Sequence, residues 1–436
     1  AAHERVLQRT SSSFDASVWE FWLPLMSGAR LHLAPAELGT SLESLWGLVE
    51  AQRINVLQMP PSLLQALLPF AGDDQLDSLR LLCCGGEALS GALLEQLGRR
   101  WNGELVNLYG PTEATIDACC FSAPVKEVGA EIPIGAPIAG VRARILDAAG
   151  GVCPVGCRGE LLIAGAGLAR GYLGRPGLTA ERFVPDPYGD GERIYRTGDL
   201  ARLRRDGQID YLGRLDHQVK IRGFRIELGE IEARLLEQEC VREAVVLAAD
   251  GASGQQLLGY VVPQDVGALE GEKRGALREA LKSALKASLP EYMVPTQWVF
   301  LAALPLLPNG KLDRKALPAP EAGDSQQVYA APETDLEQQL AAIWAEVLKL
   351  ERVGLTDNFF ELGGHSLLAT QVLVRVREQL GLEMALKELF EFPVLTDLAR
   401  QLEGRGSVSA SLQDELAKSL EALKRLTTEE IDALTS

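Results

Sequence analysis

The hydrophobic positions of the first half of the chain alternate between two spacings. Up to residue 215, apolar runs such as 104–109 alternate with helix-spaced stretches such as 62–68. This alternation predicts an α/β large subdomain over 1–215 with a largely parallel sheet. Within it, short segments punctuated by glycine and proline from 131 to 212 predict a β-rich layer.

A smaller subdomain is expected over 216–317, where strand-like and helix-like spacings mix and predict an α+β fold. Its helices are expected at 231–236 and 277–289. Residues 318–330 are rich in proline, alanine, glycine, aspartate and glutamine, which is typical of a linker between domains.

Helical spacing dominates the C-terminal part and predicts an all-α four-helix bundle over 331–403. Over 404–436, leucines fall on one helical face, and Thr427 and Glu430 fit a capping box, so a short helical tail is expected. Two roles for this tail stay open. It is either a helix that folds back on its own bundle or a docking element for the next protein of an assembly.

Composition narrows the classes of partner. A formal net charge of −17 argues against nucleic acid and anionic membranes, because both require a basic footprint. No apolar run is long enough to cross a bilayer, and residues 1–5 lack the layout of a secretion signal, so a cytoplasmic location is expected. The adjacent cysteines at 83–84 and 119–120 lie in apolar surroundings and predict reduced, buried thiols, while four scattered histidines disfavour a zinc site.

One serine stands out near the C-terminus, in the stretch 357–368 that contains Gly363-Gly364-His365-Ser366. The glycines permit backbone geometry that other residues resist, and Ser366 begins a predicted helix, where backbone N–H groups favour a phosphate. A plain helix N-cap is the alternative for this serine. An esterase nucleophile is disfavoured, because Leu368 occupies the position where that motif needs glycine.

This stretch resembles the carrier domains of nonribosomal peptide synthetases. The resemblance implies that Ser366 carries a 4'-phosphopantetheine arm, which a phosphopantetheinyl transferase attaches. The motif 107–113, Asn-Leu-Tyr-Gly-Pro-Thr-Glu, is similar to the nucleotide loop of the adenylation domains in the same synthetases, which belong to the adenylate-forming enzymes. That similarity implies that Tyr109 stacks on adenine, Thr112 meets the phosphate and Glu113 binds Mg²⁺; a carboxylate beside a hydroxyl suits a hard cation bridged to phosphate.

Two further motifs extend the resemblance to the adenylation family. In 195–200, Tyr-Arg-Thr-Gly-Asp-Leu, an acidic side chain expected at a tight turn can accept both ribose hydroxyl protons, the role implied for Asp199. The long match over 213–232 implies that Arg214 contacts the nucleotide and that Asp216 is the hinge on which the smaller subdomain rotates.

A lysine follows a predicted turn in the motif 307–314, Leu-Pro-Asn-Gly-Lys-Leu-Asp-Arg. By resemblance, Lys311 bridges the substrate carboxylate and the α-phosphate of ATP, where a compact ammonium offsets the charge that develops during adenylyl transfer. The glycine at 223 is expected to help form the channel through which the carrier thiol reaches the adenylate.

The substrate pocket is expected at the positions that match the pocket of the family. They are Asp15, Ala16, Trp19, Gln58, Leu82, Cys84, Leu108, Ile116 and Asp117, together with Lys311. Asp15 matches the carboxylate that pairs with the α-ammonium of an amino acid. Gln58 and Asp117 require hydrogen-bond partners in an apolar pocket, so a polar, glutamine-like side chain is predicted.

The phosphate loop of the family has no counterpart here, because residues 10–13 supply hydroxyls without glycine or lysine. We therefore expect a piece of a longer synthetase that lacks the N-terminal part of its large subdomain. The predicted function is to activate an amino acid with ATP and Mg²⁺ and to load it on the carrier of the same chain. Neighbouring condensation or thioesterase domains, and a downstream synthetase contacted by the tail, are the expected partners. A chain that serves only as carrier and docking unit, or a stand-alone acyl-CoA ligase, is the alternative.

Overall fold

The computed structural model describes residues 3–35, 42–72, 74–129, 131–221, 223–251, 254–269, 271–307, 311–319, 329–360, 362–364 and 366–403. The chain divides into two compact units, the first comprising Ala1–Ala248 and Val261–Val294 and the second Ala249–Tyr260 and Pro295–Ser436. The tail predicted at 404–436 lies outside the described residues, as does His365 of the serine motif. The boundary expected at 215/216 stays a prediction.

A seven-stranded sheet forms the centre of the first unit. Its strands are β1 (Arg5–Gln8), β2 (Arg30–Leu33), β3 (Val56–Gln58), β4 (Leu81–Gly85), β5 (Glu104–Tyr109), β6 (Cys119–Pro124) and β7 (Ala136–Pro137), in the order β2-β1-β3-β4-β5-β6-β7. The first five strands pair in parallel, and β6 and β7 are antiparallel. The largely parallel sheet predicted from the sequence is confirmed.

Four helices connect these strands: α1 (Ala16–Ser27), α2 (Leu42–Ala51), α3 (Pro61–Leu67) and α4 (Gly91–Gly98). The first of them has an unusual orientation. α1 buries Ser17, Glu20 and Pro24, whereas Trp22 and Met26 are exposed. Amphipathic helices normally bury their apolar face, but α1 buries a carboxylate. Because a buried charge is costly without hydrogen bonds, Glu20 requires donors within the fold.

The predicted β-rich layer is an antiparallel sheet of five strands, formed by β8 (Val141–Leu146), β9 (Arg158–Gly165), β10 (Phe183–Pro185), β11 (Arg193–Leu203) and β12 (Ile209–Arg214). The strand order is β10-β11-β9-β8, and β12 pairs with β11. The short helix α5 (Pro176–Arg182) precedes β10. The register of the long strand β11 shifts at two places, between Arg196 and Leu200 against β9 and between Asp199 and Ala201 against β12. Asp199, one of the predicted nucleotide residues, lies at both shifts.

The chain continues with a two-stranded hairpin, β13 (Val219–Ile221) and β14 (Phe224–Ile226). It is followed by α6 (Leu228–Leu236), β15 (Val241–Gly251), β16 (Gly254–Pro263), α7 (Gly271–Ser288) and β17 (Gln297–Phe300). Both helices predicted for this region are present, and each begins earlier than the sequence indicated. We call residues 219–226 the β13–β14 hairpin.

The C-terminal domain contains the four helices predicted from the sequence: α8 (Asp335–Leu348), α9 (Ser366–Leu380), α10 (Leu386–Glu391) and α11 (Leu395–Glu403). A capping box starts α8, in which Thr334 accepts a hydrogen bond from the N–H of Glu337 at 3.2 Å. The core is apolar, and the rings of Trp344 and Phe359 meet edge to face at its centre with centroids 5.1 Å apart.

All seven cysteines are free, and Cys83, Cys84 and Cys119 are buried. Burial raises the pKa of each of these three thiols, so they behave as inert apolar groups. No helix in the described part of the chain combines the length and the apolar character that a membrane span requires.

Candidate adenylation and carrier sites

Three of the predicted nucleotide residues and the predicted hinge residue, Asp216, meet at one place in the first unit. Tyr109, the last residue of β5, donates its hydroxyl hydrogen to Asp199 Oδ2 on β11. The other carboxylate oxygen of Asp199 lies 2.7 Å from Arg214 Nη1. The same guanidinium binds Asp216 through two hydrogen bonds of 2.6 Å, from Nε to Oδ1 and from Nη2 to Oδ2. The cluster joins the seven-stranded sheet to the five-stranded sheet.

The position of Asp199 corrects the expectation of a tight turn, because this residue lies inside β11. The strand is irregular on both sides of it, between Arg196 and Leu200 and again between Asp199 and Ala201. Gly198 has a φ of +72°, and a Cβ there would lie 2.7 Å from the side chains of Arg214 and Asp216. A bulge re-aims a side chain without ending the strand, and here it turns a buried carboxylate toward Tyr109.

The charged part of this cluster consists of two carboxylates and one guanidinium. Asp199 is 3% exposed, and Arg214 is the cation between two carboxylates. Burial works against ionisation of Asp216, but the hydrogen bonds and charge of Arg214 lower its pKa overall. Burial together with the neighbouring carboxylate of Asp199 raises the pKa of the Tyr109 hydroxyl, so Tyr109 stays a neutral donor.

Glu113 lies in a short 3₁₀ turn, Thr112–Ala114, directly after Pro111. Its Oε2 lies 2.8 Å from Arg225 Nη1, and its Oε1 accepts a 2.6 Å hydrogen bond from the hydroxyl of Tyr172. Burial opposes ionisation of this carboxyl, but the charge of Arg225 and the hydroxyl of Tyr172 lower its pKa. Glu113 is therefore a carboxylate at neutral pH.

The residues present fit Mg²⁺ only in part. Among the residues that the structure describes, no group of three or more histidine, cysteine or acidic side chains could hold a metal by itself. Glu113 offers one ionised carboxylate beside Thr112. Mg²⁺ takes six oxygen ligands and is often bound through one or two carboxylates plus substrate phosphates, so this site suits a metal that arrives with ATP.

Asp15 and Asp117 form the acidic part of the predicted pocket. Asp15 precedes α1 and makes no cap hydrogen bond; its Oδ2 instead accepts a 2.5 Å hydrogen bond from the hydroxyl of Thr112. Burial, followed by the charge of Asp15, raises the pKa of Asp117 to about 7. Two carboxylates so close together favour a cationic or hydrogen-bond-donating ligand.

The loop that carries Asp117 is strained. Thr115 and Ile116 both adopt left-handed backbone conformations, with φ of +61° and +72°. Left-handed geometry is uncommon for a β-branched residue and persists only where the surroundings enforce it. Gly110 accommodates the returning chain, because a Cβ there would lie 2.1 Å from the carbonyl oxygen of Ile116.

Strand register contradicts two of the predicted pocket residues, Leu82 and Cys84. Paired residues of parallel strands share a sheet face, and side chains alternate between faces along each strand. Gln58 of β3 is paired with Cys83 of β4. Leu82 and Cys84 therefore lie on the face opposite Gln58 and pack into the core, where both are 0% exposed.

Cys83 and Gly85 lie on the Gln58 face in their place, and no motif in the sequence indicated them. Gly85 is paired with Leu108, and a Cβ on Gly85 would lie 3.4 Å from the Cβ of Leu108. Cys83 lies close enough to Asp117 for that carboxylate to contribute, after burial and Cys84, to the raised pKa of its thiol. The apolar run 81–84 carries no signal that distinguishes the two faces, and the pairing with Gln58 identifies them.

Gln58 is 6% exposed, and its side-chain amide contacts the hydroxyl of Thr10. The hydroxyl oxygen of Thr10 lies 2.9 Å from Gln58 Oε1 and 2.6 Å from Glu20 Oε1. The other carboxylate oxygen of Glu20 accepts the backbone N–H groups of Arg9 and Thr10, at 3.1 and 3.0 Å. These hydrogen bonds satisfy the buried carboxylate of Glu20 on α1, the helix whose polar face points into the fold.

The β13–β14 hairpin contacts the nucleotide residues within the first unit. Lys220 Nζ lies 5.9 Å from the centroid of the Tyr109 ring. Burial lowers the pKa of this lysine. At the tip, Phe224 packs between Phe14 and Tyr292, with centroid distances of 5.1 and 4.0 Å. The motif 213–232 contained Lys220 and Arg225, but its pattern did not indicate their partners.

The two remaining predicted residues, Lys311 and Ser366, belong to the second unit. Lys311 is exposed, and its carbonyl accepts a 2.7 Å hydrogen bond from the N–H of Leu307. Ser366 is the first residue of α9. Gly363 has a φ of +94°, the backbone geometry predicted for these glycines. Gly364 is constrained differently, because a Cβ there would lie 2.4 Å from Phe359.

Three family models match successive parts of the chain. A family described as AMP-binding enzyme matches residues 1–173, the AMP-binding enzyme C-terminal domain matches 230–311, and the phosphopantetheine attachment site matches 338–402. Tyrocidine synthase 3 of Brevibacillus parabrevis is 48% identical over 399 residues, which are 91% of this chain and 6% of that protein. The dimodular nonribosomal peptide synthase of Bacillus subtilis (strain 168) is 46% identical over 413 residues, 94% of this chain and 17% of that protein.

Among solved structures, a holo nonribosomal peptide synthetase protein containing adenylation and PCP domains, bound to a vinylsulfonamide inhibitor, has a TM-score of 0.74 and 31% identity. The match covers 93% of this chain and 66% of that one. The chain thus spans a small part of the length of these two curated relatives and about two thirds of the solved protein. With its AMP-binding region, the C-terminal domain of that enzyme family and a phosphopantetheine attachment domain in succession, the chain belongs to the adenylate-forming, carrier-containing modules of nonribosomal peptide synthetases.

Proposed function

We propose that this chain activates an α-amino acid with ATP as an aminoacyl adenylate and loads it on the phosphopantetheine of its own carrier domain. The observation that carries the proposal is the cluster of Tyr109, Asp199, Arg214 and Asp216. It offers a phenol ring, a carboxylate with unused lone pairs and a guanidinium on one side of the unit. These groups suit adenine, ribose hydroxyls and phosphate respectively.

Each group has a definite task in the proposed nucleotide site. Asp199 accepts the two ribose hydroxyl hydrogens on the lone pairs that Tyr109 and Arg214 leave unused. The ring of Tyr109 supplies the stacking surface for adenine, and Thr112 donates its hydroxyl hydrogen to phosphate. Thr112 currently donates to Asp15, so binding of the α-ammonium by Asp15 would release this hydroxyl.

Glu113 is the proposed ligand of Mg²⁺, which neutralises phosphate charge when it is bound. The ammonium of Lys311 is proposed to offset the charge that develops on the α-phosphate and substrate carboxylate. Asp216 is proposed as the hinge. Its bidentate pairing with Arg214 gives the hinge position one well-defined arrangement, from which rotation must break two charge-assisted hydrogen bonds.

The proposed amino acid pocket differs from the sequence-based version at two positions. It comprises Asp15, Ala16, Trp19, Gln58, Cys83, Gly85, Leu108, Ile116 and Asp117. Asp15 receives the α-ammonium. The pocket is otherwise apolar apart from Gln58 and Asp117, which supports a polar side chain such as that of glutamine.

Ser366 is the proposed attachment point, and phosphopantetheine supplies there the thiol that receives the aminoacyl group. The start of a fifteen-residue helix offers free N–H groups to the phosphodiester. A phosphopantetheinyl transferase is the proposed modifying partner. Neighbouring condensation or thioesterase domains are proposed to take the aminoacyl group onward.

Intact mass spectrometry tests both halves of this proposal on the same sample. The chain is first incubated with coenzyme A and a phosphopantetheinyl transferase, and then with ATP, Mg²⁺ and one amino acid at a time. We expect a first mass gain on Ser366 and a second gain with one polar amino acid. A first gain without a second under any amino acid would limit this chain to the carrier role. A second gain with fatty or aryl acids instead would indicate an acyl ligase.

A further inference from the structure

Glu20 is a buried titratable residue with no part in the proposed chemistry. It is 0% exposed on α1, a helix that turns its polar face inward. Three donors converge on its carboxylate: the N–H groups of Arg9 and Thr10 on Oε2, and the hydroxyl of Thr10 on Oε1. Burial raises the pKa of Glu20, while these hydrogen bonds and the charge of Arg9 oppose that rise.

The hydroxyl of Thr10 has a single hydrogen, but two acceptor oxygens lie within reach of it. Glu20 Oε1 is at 2.6 Å and Gln58 Oε1 at 2.9 Å. A hydroxyl can donate once and accept twice, so both contacts cannot be donations from Thr10. Either Glu20 is protonated, or the oxygen and nitrogen of the Gln58 amide are exchanged. The hydrogen-bond network therefore decides which end of the amide faces Thr10.

The surroundings of Glu20 favour the exchanged amide. Two backbone N–H groups point at its Oε2, an oxygen that would lose acceptor strength if the carboxyl were protonated. Hydrogen bonds donated to an ionised carboxylate are also the shorter and stronger class, in agreement with the 2.6 Å contact from Thr10. With Glu20 ionised, Thr10 donates to Glu20 and accepts from the amide nitrogen of Gln58.

We propose that Glu20, acting through Thr10, is a positioning residue that holds the Gln58 amide with its carbonyl oxygen toward the substrate pocket. The effect of this orientation on substrate choice rests on the proposed function. Gln58 shares its sheet face with Cys83 and Leu108, so the oxygen is presented on the face of the pocket residues. The pocket therefore selects an amino acid whose side chain ends in an N–H donor, such as a carboxamide.

Substrate selectivity provides the functional test. Glutamine carries a donor, and glutamate γ-methyl ester has a similar shape with acceptors only. We expect the unmodified chain to favour glutamine by about tenfold or more in adenylate formation, because the ester leaves a buried acceptor unpaired. Thr10→Val keeps the shape of the side chain and removes the hydroxyl, so the ratio should fall to within about threefold. Thr10→Ser should restore it.

Ser13→Ala is the matched control, since Ser13 is an exposed hydroxyl residue of the same segment whose hydroxyl lies 2.9 Å from that of Ser11. It should leave the ratio unchanged. A chain that prefers the ester would show that the amide nitrogen faces the pocket and would overturn the proposal. So would a Thr10→Val variant that retains full discrimination.

A second readout does not depend on activity. In chain labelled with ¹⁵N-glutamine, the side-chain amide signal of Gln58, assigned by its loss in Gln58→Leu, should show one protected hydrogen. This protection should disappear in Thr10→Val and persist in Thr10→Ser. Its presence without any adenylate formation would uphold the positioning role and reject the proposed function. An unprotected Gln58 amide in the unmodified chain would reject the positioning role itself.

Discussion

Arg225 of the β13–β14 hairpin holds Glu113 in an ion pair, with 2.8 Å between Nη1 and Oε2. Glu113 is the carboxylate proposed for Mg²⁺, so the guanidinium and the metal would share this carboxylate. The lone pair of Oε2 that Arg225 engages is not open to a metal ion. We therefore expect Mg²⁺ binding at Glu113 to weaken the pair with Arg225.

The pair also contributes to stability. Arg225→Met should lower the free energy of unfolding of the first unit by about 1–3 kcal/mol at pH 7, because it leaves a mostly buried carboxylate unpaired. The pKa of Glu113 is lowered in the folded chain. Its stabilising effect is thus fully present above the unfolded pKa near 4.5 and is lost progressively as the pH falls from there through the lower folded pKa. Urea unfolding at pH 7 and pH 4 should show the difference shrinking on acidification.

Arg234→Met is the matched control for this variant. Arg234 pairs with Glu237 one turn away on the surface, with side-chain exposures of 41% and 59%. Exposed pairs of this kind contribute about 0–1 kcal/mol. If Arg225→Met lowers the free energy of unfolding no more than Arg234→Met does, the pair with Glu113 contributes no more to stability than an exposed pair.

The sequence predicted candidate site residues better than their partners. Contiguous motifs suggested Tyr109, Asp199 and Arg214 through their resemblance to the adenylation family, and the structure brings these three side chains together. The pair of Arg225 and Glu113 joins residues 112 positions apart, and no local pattern indicates such a contact. Long-range pairing depends on how the hairpin packs, which hydrophobic spacing does not determine.

The sequence also did not indicate which residues of β4 face the proposed pocket. Neighbouring residues of a strand lie on opposite faces of the sheet. Leu82 and Cys84 are as apolar as Cys83, so the run 81–84 carries no alternation that would tell one face from the other. Buried parallel strands are apolar on both faces, and a shift of one residue exchanges the two. Pairing with Gln58 decides between them.

Asp117 should make the stability of the first unit depend on pH in the opposite sense to Glu113. Its folded pKa is raised to about 7 by burial and by Asp15. The folded state therefore holds a proton that the unfolded state releases, so this stabilisation is present below pH 4 and is lost as the pH rises through about 7. Asp117→Asn should raise stability at pH 8 relative to the unmodified chain, and much less at pH 5.

The measurement is urea unfolding at both pH values, with Asp190→Asn as the control for loss of one negative charge at an exposed position. Equal effects of the two variants would indicate that net charge, and not the environment of Asp117, governs the response. The amide of asparagine retains the shape of the side chain, so packing is preserved in the comparison.

We expect Lys311 to act in formation of the aminoacyl adenylate and not in modification of the carrier domain. Lys311→Ala should lower adenylate formation by about 10²-fold, the usual effect of removing one group that stabilises transition-state charge. Lys315→Ala, at an exposed lysine four residues along the same segment, should have little effect. Pyrophosphate exchange with the preferred amino acid measures both. Equal rates in the two variants would remove Lys311 from the mechanism.

Ser366→Ala should abolish the mass gain from phosphopantetheinylation without altering the unfolding of the carrier domain. The serine begins α9, and the hydrophobic core of the domain lies on other residues of that helix. The Lys311→Ala chain should gain mass normally, which separates carrier modification from adenylation. A full mass gain in Ser366→Ala would place the arm on another residue.

Gly364 beside this serine allows the packing of the carrier core to be tested separately from its chemistry. A Cβ at Gly364 would lie 2.4 Å from both the ring and the carbonyl oxygen of Phe359, and that ring packs on Trp344. Since neither backbone nor a fully buried ring can yield cheaply, Gly364→Ala should destabilise the carrier domain by about 2 kcal/mol or more. Gly381→Ala meets no atom within 4 Å but must adopt a φ of +65°, so it should cost only about 1 kcal/mol. Thermal unfolding followed by tryptophan fluorescence compares them, and equal losses would mean that Phe359 moves aside and that Gly364 is required for its flexibility alone.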